Sequence, residues 1–333
     1  MKMKKINPSV LITAAFLLAA FLFVASLTLG STAVSFSGLS DLLHGDMASA
    51  DARILLYVRL PRTIGALFAG IGLAGAGVLI QNVLHNPLAG PSIIGINAGA
   101  GFFAILCIAL SPASAAILPF YAFFGALAAT LIIYAVARRT GASRITIILA
   151  GVAVNALLSA GTDAIHTFSP DALLGGNAFR VGSLASLSAS TLILPCILIT
   201  LAFLAAFLLR NELDILSLGE DIARSLGLRV GLYRFTLLVC AAVLAGASVS
   251  FAGLIGFIGL IVPHSARLLI GNEAKALLPL SALLGASLLL LCDILSRVLF
   301  APYEIPVGIL TAFIGAPIFL RLLFLDRKHR DVL

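Results

Sequence analysis

The feature that most constrains this chain is a succession of apolar runs long enough to cross a membrane. A helix spanning about 30 Å of hydrocarbon needs roughly 20 apolar residues. Ten such windows follow one another, near 9–30, 60–82, 92–110, 116–137, 145–167, 189–209, 234–252, 254–270, 277–299 and 305–325. The boundary between the seventh and eighth is the least defined, because the run there is almost continuous. Hydrophobic residues make up 61% of the chain and charged residues 11%, against about 45–50% and 25% in soluble domains. A fold in water has too little interior to bury that surface. The expected fold is an all-α polytopic bundle of about ten transmembrane helices, with residues 1–333 as one domain. A soluble enzyme, a disulfide scaffold and a nucleic-acid binder are excluded. Lys2, Lys4 and Lys5 precede the first window as in a signal peptide, but its apolar run is too long for one, so it counts as a span.

The net charge of +7 follows from topology. With the N-terminus inside and ten alternating spans, both termini are cytoplasmic. Sixteen of the 21 Lys and Arg residues then fall in inner segments, as the positive-inside rule requires. One span more or less would scramble that asymmetry. The outer five are Arg53, Arg59, Arg62, Arg180 and Arg297. The four cysteines, Cys107, Cys196, Cys240 and Cys292, sit far apart inside apolar runs and read as small buried hydrophobes, not as metal ligands.

The segment 213–233 breaks the apolar pattern. Ser217-Leu218-Gly219-Glu220 fits a capping box, with Ser217 at the helix start and Glu220 reaching back. Leu218, Ile222 and Leu226 recur at i, i+4 and i+8, and Gly227 supplies a stop. The segment reads as a short cytoplasmic helix with a small apolar face. That face suits either the membrane surface or a docking partner.

One motif misleads. Gly70-Ile71-Gly72-Leu73-Ala74-Gly75 matches a dinucleotide fingerprint, yet it lies inside a span, and no Asp or Glu occurs from Ala52 to Thr162 to bind a ribose. Gly65, Gly70, Gly72, Gly75 and Gly77 are better read as close-approach residues between helices, and Gly253, Gly256 and Gly259 likewise. The chain has no Gly-Lys dipeptide and hence no Walker A loop. If transport here uses ATP, another chain binds it.

Polar residues at membrane depth each call for a reading. Asp163 and His166, at i and i+3, either pair with each other or touch substrate; two ligands do not make a metal site. Asp293 and Arg297 are placed for an intrahelical ion pair. Asn155 faces a polar path or bonds a neighbouring helix. His264, after Pro263, reads as part of a kink. Arg59 and Arg62 stand at the outer mouth of the second span, where they either receive carboxylates of a partner or anchor headgroups.

These residues carry a family resemblance. The strings RLPR (59–62), QNVLHNPLAGPSIIGINAGA (81–100), LSLGEDIARSLGL (216–228), GLIGFIGLIVPHSARLLIG (253–271) and CDILSRVLFAPYEIPVGILTAFIGAPIFLRLL (292–323) resemble the FecCD permease family. Those proteins are permease subunits of bacterial ABC importers for iron-siderophores, haem and cobalamin. The likeness runs from about Leu56 to Phe324, with order and spacing preserved.

The resemblance implies a ten-helix subunit in the cytoplasmic membrane, paired with a second copy or a paralogue around a central path. Two ABC ATPase subunits and an extracytoplasmic substrate-binding protein complete the assembly, which needs no cofactor, metal site or catalytic residue in this chain. It implies that Ser217, Leu218, Gly219, Glu220, Ile222, Ala223, Arg224, Leu226 and Gly227 form the helix that seats in the ATPase. Arg59, Arg62 and Arg297 would receive acidic residues of the binding protein, with Arg297 shared between Asp293 and that partner. Asn86 and Leu88 match one cytoplasmic gate, and Ala142 and Ser143 the other; Ala142 stands where the family pattern carries a hydroxyl residue. Asn155, Gly161, Thr162 and His166 would meet the substrate along the path.

The expected activity is import of an iron-siderophore by alternating access, with cobalamin or haem as alternative cargo. An ion-coupled secondary transporter would need ionisable residues deep in several spans, and spans two to four hold no acid. A channel would need a repeated filter or a pore ring, and the sequence shows neither.

Overall fold

The computed structural model describes residues 7–30, 49–111, 116–139 and 143–330. All regular structure among them is helical. Lys2, Lys4 and Lys5, and Ala142 of the second expected gate, lie outside the described residues.

Helix α1 runs from Pro8 to Thr28. A continuous stretch, α2, covers Ala50–Leu84 with a π-helical turn over Leu55–Arg59. Then come α3 (Ile96–Leu110), α4 (Leu118–Arg139), α5 (Arg144–Phe168), α6 (Pro170–Val181), α7 (Ala189–Leu208), α8 (Arg210–Leu216) and α9 (Glu220–Ser225). The chain closes with α10 (Val230–Ala252), α11 (Ile258–Ile270), α12 (Ala274–Val298) and α13 (Val307–Arg330).

All ten apolar windows are helical. Seven helices are long and apolar enough to cross a membrane unaided; Ile96–Leu110, Ile258–Ile270 and Val307–Leu322 are shorter. Helix α3 starts four residues later than its window because Pro91 and Gly95, the latter at φ 81°, hold the preceding chain in turns. The uncertain boundary between the seventh and eighth windows is resolved by Gly253. Its φ of 74° ends α10, and α11 begins at Ile258. Gly253 therefore serves the break and not a helix interior, and Gly256 has open space around it. Of that trio Gly253 and Gly259 are close-approach residues, since a Cβ on Gly253 would collide with the Phe179 carbonyl and one on Gly259 with the Leu73 carbonyl.

The bundle is built around α2, α10 and α12. Their apolar windows are 72–78% buried, whereas that of α5 is 17% buried. Helices immersed in lipid gain no hydrophobic drive from meeting each other, so close backbone contact must supply the attraction. A Cβ on Gly70 would collide with the Gly285 carbonyl of α12, and one on Gly77 with the Gly259 carbonyl of α11. The glycine string is thus a packing surface, as its place inside a span implied. By contrast α5 shows Leu149, Val152 and Leu157 on an exposed face.

Candidate functional site

Two ends of the bundle carry the chemistry. One gathers the end of α1, the start of α2, the end of α12 and the turn before α13. There the Arg62 guanidinium donates from Nε to Asp293 Oδ1 (2.7 Å), from Nη1 to Glu304 Oε2 (2.6 Å) and from Nη2 to Ser296 Oγ (3.1 Å). Arg297 lies 2.9 Å from Asp293 Oδ2 and donates to the carbonyl and hydroxyl of Ser26 at 3.1 and 2.7 Å. Arg59 donates to the Leu27 and Thr28 carbonyls at 2.8 and 2.5 Å. Those carbonyls are orphans of a helix C-terminus, where a cation is favoured.

The sequence places Arg59 and Arg62 at an exposed outer mouth of the second span. The structure corrects that: Arg59, Arg62 and Arg297 are 3–5% exposed and Asp293 is fully buried. The i, i+4 pair of Asp293 and Arg297 is present as expected. What local spacing could not reveal is that Asp293 also holds Arg62, 231 residues away in sequence.

The other end gathers the end of α2, the α8–α9 segment and the starts of α10 and α12. The capping box does not form. Ser217 turns back and donates to the Asp214 carbonyl (2.6 Å), while Gly219, at φ 118°, takes the N-cap position of α9. Glu220 accepts from Arg224 (2.6 Å) and from Arg234 of α10 (2.8 Å). The hydrogen bond from Arg234 holds the Glu220 carboxyl below its usual range. The reason is competition: two arginines outbid the helix terminus for the Glu220 carboxylate.

The stop at Gly227 does form. With φ at 81°, Gly227 donates to the Arg224 carbonyl and Leu228 to that of Ala223, a Schellman closure. Ala223 is fully buried, and Leu218, Ile222 and Leu226 are 50–61% exposed. The segment is anchored beneath by Asp214, whose Oδ1 accepts from Ala274 N at the start of α12 (2.8 Å). Burial pushes the Asp214 carboxyl up.

The turn after α2 holds the expected gate residues. Asn86 Oδ1 accepts from Leu88 N (2.9 Å), and the Leu88 side chain is exposed. Upstream, Gln81 and Asn82 each accept from Arg267 of α11 at 2.9 Å. Ser143 caps α5, its Oγ accepting from Thr146 N (3.2 Å).

The expected path residues of α5 scatter. Asn155 Nδ2 donates to the Ser92 carbonyl (2.8 Å), leaving its Oδ1 without a partner. Gly161 faces the Phe102 ring, and Thr162 bonds back to the Leu158 carbonyl. No pairing joins Asp163 to His166 among the described residues, and His166 Nε2 is buried without a partner. A cavity of about 300 Å3 lies between Leu88, Asn97, Phe257 and Leu260. The Asn97 Oδ1 is a second buried amide oxygen without a partner. Among the described residues no cluster of three metal-ligating side chains occurs.

The FecCD transport family model matches residues 17–325. The chain belongs to the FecCD transport family. It is a multi-pass membrane permease subunit of that family, and ATP hydrolysis resides in other subunits. It is 39% identical to the Fe(3+)-citrate import system permease protein YfmE of Bacillus subtilis, over 99% of this chain and 98% of that one. It is 36% identical to the hemin transport system permease protein HmuU of Yersinia pestis, over 98% and 99%. Among solved structures, a metal-chelate type ABC transporter in an inward-facing conformation superposes with a TM-score of 0.84 at 29% identity, covering 96% of this chain and 99% of that one.

Within this FecCD chain, Gln81, His85, Arg267 and Glu304 bond between elements at the two ends, and Asn97 lines the cavity; the sequence did not single them out. Gln81, His85 and Asn97 fall inside one of the resembling strings. The partners of Gln81 and His85 lie on other helices, which no local period exposes.

Proposed function

We propose that this chain is the permease subunit of an ABC importer that moves an iron chelate, with a ferric siderophore as cargo, across the bacterial cytoplasmic membrane by alternating access. The observation that carries the reading is the α8–α9 segment. It holds three exposed apolar side chains, Leu218, Ile222 and Leu226, on a helix clamped to α10 by the Glu220–Arg234 pair. An apolar face on a polar end of a membrane protein, rigidly joined to the bundle core, fits a partner that pushes on it. The chain itself has no nucleotide loop, so that partner is the ATPase, and this end is cytoplasmic.

The arginine end then faces outward and receives the binding protein. The exposed face of α5 meets the second permease copy or paralogue around the path. A large chelate calls for a wide, weakly interacting path, and the unpartnered amide oxygens of Asn155 and Asn97 offer weak polar contact without a tight site. ATP-driven closure of the ATPases shifts the α8–α9 segments, and packed helices carry the shift to the gates. Relatives bearing iron-citrate and hemin names support the cargo class.

The test is reconstitution of the permease with its ATPase and binding protein in liposomes, followed with radiolabelled iron. ATP-dependent uptake of a ferric siderophore is expected. Uptake of hemin, cobalamin or ferric citrate in its place would reassign the cargo. Uptake driven by a proton gradient without the ATPase would overturn the reading.

A further inference from the structure

We infer that His85 is the positioning residue that joins the ATPase-docking segment to the gate turn at the end of α2, a role that rests on the importer reading above. His85 adopts the left-handed region, at φ 48° and ψ 38°, which residues with a Cβ rarely take. Its own N–H and that of Asn86 close the end of α2 on the Asn82 and Gln81 carbonyls. The ring is thereby aimed across the bundle end, where Nε2 meets the Leu216 carbonyl. A carbonyl only accepts, so Nε2 carries the hydrogen and donates. Burial lowers the imidazole pKa, against the opposing pull of the Leu216 hydrogen bond, and the positive charges of Arg144 and Arg234 act in the same direction as burial.

Both ends of this bond are held. Leu213 and Leu216 bury α8 in the bundle, and Asp214 ties it to α12. Two residues beyond Leu216 the exposed docking face begins at Leu218. On the other side, Arg267 grips Gln81 and Asn82, and Gln81 Nε2 donates to the Leu260 carbonyl (3.0 Å). Leu88 and Leu260 line the same cavity. One side-chain hydrogen bond thus spans from the docking face to the gate.

A cap for α8 needs no residue from 131 positions away. Ser217 already bonds back to Asp214 within the segment. That a residue in an unfavoured backbone region reaches over to Leu216 is a cost that a mere cap does not require. Without the bond, α8 and α9 can move with the ATPase while the turn at Asn86 and Leu88 stays behind.

The experiment uses the complete reconstituted complex and reads ligand moved per ATP hydrolysed. His85→Asn keeps a residue that tolerates the left-handed region but is too short to reach Leu216. The ATPase should co-purify and hydrolyse ATP as with wild type, while the transport ratio falls by at least about fivefold, the lower range of measured couplings. His85→Gln restores a donor at similar reach and should recover most of the ratio. An unchanged ratio in H85N, loss of ATPase co-purification in H85N, or a ratio in H85Q as low as in H85N would each overturn the coupling role. A wild-type complex that moves no ligand on ATP would instead overturn the importer reading.

Discussion

The two ends of the bundle handle polarity in opposite ways. At the arginine end, charged groups are drawn inside and satisfied by the chain itself: Arg62 and Arg297 share Asp293, and Arg59 covers the end of α1. At the α8–α9 end, Glu220 pairs with the exposed Arg224 as well as the buried Arg234, and apolar side chains face outward. The first arrangement pairs its charges within the chain, with Glu304 alone partly open to water; the second leaves an apolar face exposed. The difference separates a buried clamp with one accessible carboxylate from an uncovered apolar surface.

The sharpest way to break this comparison is Asp293→Ala. It takes the shared carboxylate from two buried guanidiniums and leaves Arg297 with no carboxylate partner among the described residues; removing one member of a buried ion pair costs about 3–5 kcal/mol. Thermal unfolding of the purified permease in detergent should show that loss. A change within about 0.5 kcal/mol, the scale of ordinary surface substitutions, would mean that the arginine end is not the structural clamp its geometry indicates.

The mirror experiment is Ile222→Asp with Leu226→Asp. Both side chains are exposed, so stability should barely move. Binding to the ATPase should fall by roughly 2 kcal/mol or more, the scale of an interface hot spot, read as loss of co-purification. Retained ATPase would sink the docking assignment. If the double variant also unfolded the permease, the contrast between the two ends would collapse.

Glu304 tests where the ends overlap in kind. It is the partly exposed partner of Arg62, with a side chain 31% accessible. Charge reversal at Arg62 is uninformative, because the new carboxylate would face Asp293 and Glu304 inside the bundle. Glu304→Gln instead loosens Arg62 while leaving Asp293 in place. After allowance for solvent screening, the stability cost should be about 1 kcal/mol or less. Affinity for the binding protein should rise, since its carboxylate no longer competes with Glu304. Unchanged or weaker binding on an immobilised permease would leave Arg62 as a purely internal clamp.

The same contrast explains what could be read from the sequence. Every feature governed by local period or local backbone was legible: the ten helical windows, the Asp293–Arg297 pair, the glycine packing strip and the stop at Gly227. Features decided by residues far apart in the chain were not. The spacing Arg59-Leu60-Pro61-Arg62 says nothing of Asp293, so the arginines read as exposed. Ser217 and Glu220 have capping-box spacing, yet Arg234, fourteen residues on, claims the carboxylate. His85 gave no local signal at all, because its partner lies 131 residues away.

The smallest expected effect concerns that carboxylate. Glu220 bonds one buried guanidinium, Arg234, and one exposed guanidinium, Arg224. The Glu220–Arg224 pair has i, i+4 spacing and a side chain of Arg224 open to water, so a double-mutant cycle should return about 0.3–0.5 kcal/mol. The Arg234 contact supplies a pH signature instead. Because the folded-state pKa of Glu220 lies below its ordinary value of 4.5, the unfolded chain binds more protons between the two values. The stabilisation is therefore full above about 4.5 and is lost as pH falls through the lowered folded value. Glu220→Gln should flatten that acid limb of the stability curve, while Arg224→Ala should leave most of it. If Arg224→Ala flattened it equally, the exposed pair would dominate, and the clamp between α9 and α10 would be weaker than the coupling role of this segment requires.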